Sequence, residues 1–147
     1  GVYGGFGVGE SESSRVQAVC DYYGPTDFTV FVTTPGYEGH ARADAPEGKL
    51  LGGAVPENKD KAARANPITF VSHDDPPFLI VHGDADGTVP YSHSVRLHAA
   101  LEKAGVPNKL LTVPGGGHGN FKASEYPGWY SEIREFLTKQ GLMKRGI

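Results

Sequence analysis

Three short apolar runs along the chain alternate with segments in which apolar residues recur at helical spacing. The runs span residues 16–23, 78–82 and 109–113, and each ends at glycine or proline, which is typical of buried strands. After Ser92, which can serve as an N-cap, the apolar side chains follow a helical period as far as Gly105. Residues 126–139 show the same period, so both segments are predicted helices.

Two further segments separate the first strand from the second. Residues 57–65 are rich in Lys and Ala and predict a short surface helix that ends before Asn66-Pro67. Residues 26–55 mix turn residues with scattered apolar ones without a sustained period. So long an irregular stretch in a compact domain is more often a functional lid or wall than a passive connection.

The alternation of strands and helices predicts an α/β fold, with parallel strands and flanking helices on the sheet faces. The 147 residues correspond to a single domain, 1–147. Because the chain opens at Gly1 without an initiator Met, we expect a processed or truncated N-terminus.

Composition narrows the function classes. The chain is 38% hydrophobic and 21% charged with a formal net charge of -3, which gives no reason to expect nucleic acid or an anionic membrane as a partner. A small, neutral or modestly polar ligand is the better expectation. Cys20 is the single cysteine, so neither an internal disulfide nor a zinc site of paired cysteines can form.

The candidate chemistry lies in two loops that follow the second and third predicted strands. Residues 82–90 contain Asp84 and Asp86, and residues 114–121 place His118 among glycines. Because ligands and catalytic groups gather at the carboxyl ends of parallel strands, an Asp and a His from these loops can meet. A histidine oriented by a buried carboxylate can take a proton from a serine hydroxyl, which is the chemistry of hydrolysis.

The order of several short motifs resembles the α/β-hydrolases, in particular the prolyl-oligopeptidase-like and feruloyl or acetylxylan esterase-like (BD-FAE-type) branch. These motifs are Gly24-Pro25-Thr26-Asp27, Ala65-Asn66-Pro67, Asp75-Pro76-Pro77, residues 82–90 and Gly117-His118-Gly119. The resemblance implies that the chain is the C-terminal part of an α/β-hydrolase fold. It also implies Asp86 as the triad acid, His118 as the triad base and Asp84 as a supporting residue, with Asp84 as the alternative acid.

Members of this branch carry their nucleophile in an upstream G-x-S-x-G elbow, which this sequence lacks, as it lacks the His-Gly-Gly oxyanion segment. Ser11 in Gly9-Glu10-Ser11-Glu12-Ser13 departs from the elbow pattern at its last position. It follows no apolar strand, so we interpret it as a loop residue. Cys20 lies inside a predicted strand and is interpreted as a small buried residue rather than a nucleophile.

The remaining histidines have structural interpretations. We expect His82 to end its strand as a structural residue, and His40, His73, His93 and His98 to lie on the surface. His82 with Asp84 and Asp86 could also suggest a metal site, but no further ligand cluster is evident. No metal and no cofactor is therefore predicted.

The leading hypothesis is a serine-dependent carboxylic ester hydrolase acting on feruloyl, acetylxylan or short-chain esters, with a small ester or an acylated polysaccharide as its partner. Residues 26–55 would wall the pocket, and aromatic side chains would suit an apolar acyl group, namely Tyr22, Tyr23, Phe28, Phe31 and Tyr37. A serine peptidase is the alternative within the class.

The competing hypothesis is a non-catalytic α/β-hydrolase remnant used for binding or assembly. A sheet without its upstream neighbours exposes unpaired backbone groups at its first strand. We expect the missing N-terminal half, or another chain, to cover that edge.

Overall fold

The computed structural model describes residues 13, 15–122 and 126–144, and its centre is a parallel three-stranded sheet. The strands are β1 (Val19–Tyr22), β2 (Phe78–Gly83) and β3 (Asn108–Val113), in the order β1-β2-β3. Phe78 is in register with Val19 on one side and with Asn108 on the other. The strands therefore start level, and the predicted parallel sheet is confirmed.

Two long helices accompany the sheet. Helix α4 (Ser92–Ala104) packs on the sheet through Leu97 and Leu101, which form a buried cluster with Ile80 and Val106. Helix α5 (Tyr126–Lys139) buries Phe136. The expected cap at Ser92 is wrong, because Tyr91 is the N-cap and no side chain caps the helix.

Residues 26–55 are not irregular as the sequence predicts, because they contain several short helices. These are α1 (Phe28–Phe31), a 3-10 helix over Glu38–Ala41 and α2 (Pro46–Leu51), with a 3-10 helix over Val55–Glu57 at the end of the segment. The next helix, α3 (Lys59–Ala65), confirms the helix predicted over residues 57–65. Helices shorter than two turns carry too few residues to show a period. Local signals start two of them: Asp27 Oδ1 accepts the N–H groups of Thr29 and Val30, and Pro46 opens α2.

Residues 26–55, which we call the insertion, have their own hydrophobic core, the insertion core. It consists of Phe28, Phe31, Val32, Leu51, Val55, Ala62 and Val89. Phe28 and Phe31 are only 7% and 0% exposed, so the expectation that they line an acyl pocket is wrong. Since Val89 belongs to the loop after β2, the insertion core packs directly against the loop that carries Asp86.

A buried histidine also ties the insertion to α4. His93 is fully buried, and its Nδ1 accepts the backbone N–H of Thr26 at 3.0 Å. The expectation of a surface position is therefore wrong for His93, and His40 and His98 are half-buried through contacts with Glu47 and Asn108. His73 is exposed as expected.

Among the described residues, none of the helices combines the length and the apolar character needed to cross a membrane.

Replacing Leu51 with Ala tests the insertion core. Leu51 is 6% exposed, whereas its neighbour Leu50 is 68% exposed. We expect Leu51→Ala to lower the free energy of unfolding by about 2 to 4 kcal/mol, because it leaves a cavity. Leu50→Ala should change it by less than about 0.5 kcal/mol in the same urea titration. Equal effects of the two substitutions would contradict the packing of this segment.

The pH dependence of stability tests the burial of His93. Burial disfavours the charged ring and lowers the pKa of His93 from 6.5 to about 4. As pH falls from 6.5 to about 4, the unfolded chain binds a proton that the folded chain does not, so stability falls over that window and this contribution levels off below it. The loss amounts to about 3 kcal/mol, since each tenfold change in proton affinity corresponds to about 1.4 kcal/mol.

We expect His93→Asn, whose side-chain oxygen can still accept the N–H of Thr26, to remove this part of the pH dependence in urea unfolding. The same substitution at the exposed His73 should leave it in place. A His93→Asn protein with the wild-type pH dependence would refute the buried, neutral histidine.

Candidate active site

The loop that follows β2 buries the carboxylate of Asp86. Its side chain has no exposed surface, and its Oδ1 accepts the backbone N–H groups of Thr88 at 2.7 Å and Val89 at 3.0 Å. The carboxylate thus folds its own loop into a tight turn, as Asp does in turns of this kind. From the insertion, the Tyr37 hydroxyl donates to the Asp86 carbonyl oxygen.

The second carboxylate oxygen of Asp86 faces His118 in the loop that follows β3. Asp86 Oδ2 lies 2.9 Å from His118 Nδ1, and the His118 side chain is 37% exposed. The structure therefore brings together the two residues that the sequence singled out. One edge of the ring is held by a buried carboxylate while part of the ring remains accessible.

Asp84 has a different contact, which separates the two candidate acids. Its Oδ1 accepts the backbone N–H of Gly115 at 2.6 Å. Asp84 thereby joins the loop after β2 to the loop after β3. The described contacts give it this supporting position, and it is Asp86 that contacts His118.

The environment of Asp86 favours its ionised form. Burial alone would raise the pKa of Asp86, but the hydrogen bonds from Val89, His118 and Thr88 outweigh it, so the pKa lies below its ordinary value of 3.8. Asp86 is a carboxylate at neutral pH and can accept the Nδ1–H of His118.

Tyr23 supports the His118 ring from the end of β1, a contact that sequence reasoning missed. The two ring centroids are 4.5 Å apart. Tyr23 adopts a left-handed backbone conformation, φ 47°, held by a 2.8 Å hydrogen bond from its N–H to the carbonyl of Val81. A Cβ at Gly119, which also has a positive φ of 75°, would lie 2.7 Å from the Tyr23 hydroxyl oxygen. The only sequence signal was a tyrosine before Gly24-Pro25.

An aromatic cleft of about 190 Å³ shares two of its lining residues with the surroundings of His118, namely Tyr23, which packs on the ring, and Gly119, which follows it in the chain. It is lined by Tyr22, Tyr23, Gly119, Phe121, Trp129, Tyr130 and Ile133. Of the aromatic residues expected in a pocket, Tyr22 and Tyr23 are present, whereas Phe121 and Trp129 were missed. Their rings meet edge to face with centroids 4.3 Å apart, a contact for which the sequence carries no local pattern.

A second Ser–His–Asp contact exists behind Asp86. Ser94 Oγ lies 2.6 Å from His82 Nδ1, and His82 Nε2 lies 3.1 Å from Asp86 Oδ2. Both Ser94 and His82 are fully buried, so this serine cannot reach a substrate. His82 is the second-to-last residue of β2, one position before the strand end where it was expected, and its side chain is fully buried in these structural contacts.

The two other residues considered as nucleophiles, Ser11 and Cys20, are not found beside His118 among the described residues. Ser11 lies outside the described residues. Cys20 is exposed, so the expectation of a buried residue is wrong; β1 pairs with β2 alone in the described chain, and the face with Cys20 and Tyr22 stays open. In the part of the chain that the structure describes, no group of three or more His, Cys, Asp and Glu side chains could hold a metal ion.

Backbone proximity holds the two loops together, and Gly83 makes it possible. The N–H of Ala85 donates to the carbonyl of Gly116 at 3.0 Å, and a Cβ on Gly83 would lie 2.1 Å from that carbonyl oxygen. A side chain at position 83 would therefore push the loops of Asp86 and His118 apart.

We expect Gly83→Ala to lower the free energy of unfolding by about 1 to 3 kcal/mol, because the added methyl group forces the two backbones apart. Gly87→Ala in the same loop is the matched control, since a Cβ there meets nothing within 4 Å. Urea unfolding of both variants measures the difference. A Gly83→Ala protein as stable as Gly87→Ala would show that the loops are not in close contact.

Comparisons with known proteins place this geometry in a family. The model of the BD-FAE family matches residues 4–101, more than half of the chain. Among solved structures, a truncated carbohydrate esterase from gut microbiota superposes with a TM-score of 0.80 and 35% identity, covering 95% of this chain and 48% of that one. A bifunctional GH43-CE protein of Bacteroides eggerthii has a TM-score of 0.79 and 34% identity, covering 93% of this chain and 18% of that one.

A curated relative, esterase LipQ of Mycobacterium tuberculosis, is 33% identical over 98 residues, which cover 65% of this chain and 22% of that protein. Dipeptidyl-peptidase 4 of Giardia intestinalis is 27% identical over 55% of this chain and 11% of its own length. The chain thus spans less than half the length of these relatives. Its sheet, its helices and these matches show that the chain belongs to the BD-FAE family and has the α/β-hydrolase fold of esterases.

Proposed function

We propose that this chain supplies the acid and the base of a catalytic triad in a serine-dependent carboxylic ester hydrolase, with Asp86 as the acid and His118 as the base. The observation that carries the proposal is the 2.9 Å contact between the buried Asp86 Oδ2 and His118 Nδ1. The low pKa of Asp86, caused by hydrogen bonds that outweigh its burial, supports the same roles.

The chemistry follows from the tautomer that Asp86 selects. With its Nδ1–H donated to the carboxylate, neutral His118 presents the lone pair of Nε2. That nitrogen takes the proton of a serine hydroxyl while the serine oxygen attacks the ester carbonyl carbon. The imidazolium, stabilised by Asp86, then returns the proton to the leaving alcohol. Water repeats the cycle on the acyl-enzyme and releases the acid and the free serine.

The nucleophile and the oxyanion hole come from sequence beyond the described residues in this proposal. Ser94 is buried, and the chain corresponds to 48% of the truncated carbohydrate esterase. In the family pattern the serine precedes the acid and the histidine. A preceding strand of the same protein would pair with the open edge of β1 and bring its serine beside His118.

The proposed substrates are esters of modest size, including feruloyl, acetylxylan and short-chain esters. The aromatic cleft beside His118 supports an apolar acyl or aryl group, since Tyr22, Tyr23 and Phe121 line it. The carbohydrate esterase among the similar structures supports an acylated polysaccharide as the natural partner.

Peptide hydrolysis is the second candidate, favoured by the similarity to dipeptidyl-peptidase 4. The same acid and base serve amide cleavage, so a panel of esters and dipeptide amides decides between ester and peptide hydrolysis.

A purely binding role is the third candidate function. An intact-mass measurement on the native protein addresses it, because a native product without a serine elbow would have no nucleophile.

We expect His118→Ala in the full-length protein to reduce kcat for ester hydrolysis by at least about a thousandfold, because the general base is lost. Asp86→Asn should reduce it by at least about a hundredfold, because it no longer selects the Nδ1–H tautomer. Asp84→Asn is the matched control and should retain most activity, since it contacts a loop amide. Near-normal hydrolysis by His118→Ala would refute the proposal. A larger loss of activity in Asp84→Asn than in Asp86→Asn would show that Asp84, and not Asp86, is the acid.

A further inference from the structure

Asp86 Oδ2 lies between two histidine rings. His118 Nδ1 approaches it at 2.9 Å from the loop after β3, and His82 Nε2 approaches it at 3.1 Å from the end of β2. Oδ1 is already occupied by the N–H groups of Thr88 and Val89. The carboxylate is therefore surrounded by donors, and one of them comes from a residue that no step of ester hydrolysis uses.

The partners of His82 determine which ring nitrogen carries its proton. Its Nε2 faces two acceptors, the Asp86 carboxylate and the carbonyl oxygen of Val89 at 3.1 Å. Its Nδ1 lies 2.6 Å from Ser94 Oγ, which can donate its hydroxyl proton. Every polar contact is satisfied by one arrangement: Ser94 donates to Nδ1, and the Nε2–H points at Asp86.

This arrangement limits the freedom of the carboxylate. His82 and Ser94 are both fully buried, so water does not compete for their hydrogen bonds. The Nε2–H of His82 bridges Oδ2 and the Val89 carbonyl, while the Val89 N–H holds Oδ1. Rotation of the carboxylate away from His118 would break both sets of contacts.

We propose that His82 is a positioning residue that, with Ser94 behind it, holds the Asp86 carboxylate in the orientation from which Oδ2 receives the Nδ1–H of His118. This inference rests on the proposed function, because it concerns the acid of the proposed triad. His82 is buried and does not line the cleft, and it meets the cleft-lining Tyr23 only ring edge to ring face at 6.5 Å. Because its hydrogen bond is made to Asp86, its effect falls on the chemical step rather than on substrate binding.

The test compares two substitutions in the full-length protein. A glutamine at position 82 can place an amide N–H near the position of Nε2, whereas an asparagine is too short to do so and leaves Oδ2 without this donor. We expect His82→Asn to lower kcat about ten- to a hundredfold with KM within about twofold, because a misplaced catalytic group costs that much. His82→Gln should recover most of kcat, and urea unfolding of both variants reports their stability.

The outcomes separate this inference from the proposed function. If His118→Ala abolishes hydrolysis but His82→Asn retains wild-type kcat, the positioning role is refuted while the triad stands. If His82→Gln loses as much kcat as His82→Asn at similar stability, the N–H is not what matters and the inference also fails. Should His82→Asn not fold, His82→Leu replaces it as the variant without a donor. If His118→Ala leaves hydrolysis unaffected, the proposed function itself is refuted.

Discussion

The buried carboxylate of Asp86 is the group on which the organisation of the site depends. An ionised carboxylate with no exposed surface requires several donors to replace water, and here they come from Thr88, Val89, His82 and His118. Satisfying one charge thus folds the loop after β2, fixes the end of that strand and orients a side chain from the loop after β3.

Elements distant in sequence contribute to the same arrangement. Gly83 and Gly116 allow two loop backbones to touch, and Asp84 pins the second loop through the N–H of Gly115. The insertion core reaches the site through Val89, and Tyr37 donates to the Asp86 carbonyl oxygen. Destabilising residues 26–55 would therefore also loosen the Asp86 carboxylate, so this segment helps to hold the arrangement in place.

Much of the fold was predictable because its main elements are long or strongly patterned. The parallel strands and the helices Ser92–Ala104 and Tyr126–Lys139 follow from period and from glycine and proline at the boundaries. The loops with Asp86 and His118 were predictable because strand ends in a parallel sheet converge. The prediction that His118 would contact Asp86 rather than Asp84 depended on the family resemblance, because both aspartates are compatible with the same turn.

Three of the failures share a physical cause, which is that they depend on contacts between distant positions. The helices of the insertion are shorter than two turns and depend on packing around Phe31. His93 is buried because Thr26 supplies its donor from 67 positions away. Tyr23 lies on His118 only because β1 and the loop after β3 end at the same edge of the sheet. None of these contacts leaves a local pattern in the sequence.

The hydrogen bond between Asp86 and His118 is the central claim, and nitrogen-15 NMR of the His118 ring tests it most directly. The neutral ring, observed at alkaline pH, should carry its proton on Nδ1, and that proton should show a downfield hydrogen-bonded resonance that is lost in Asp86→Asn. A neutral ring protonated on Nε2, or a spectrum unchanged by Asp86→Asn, would contradict the account.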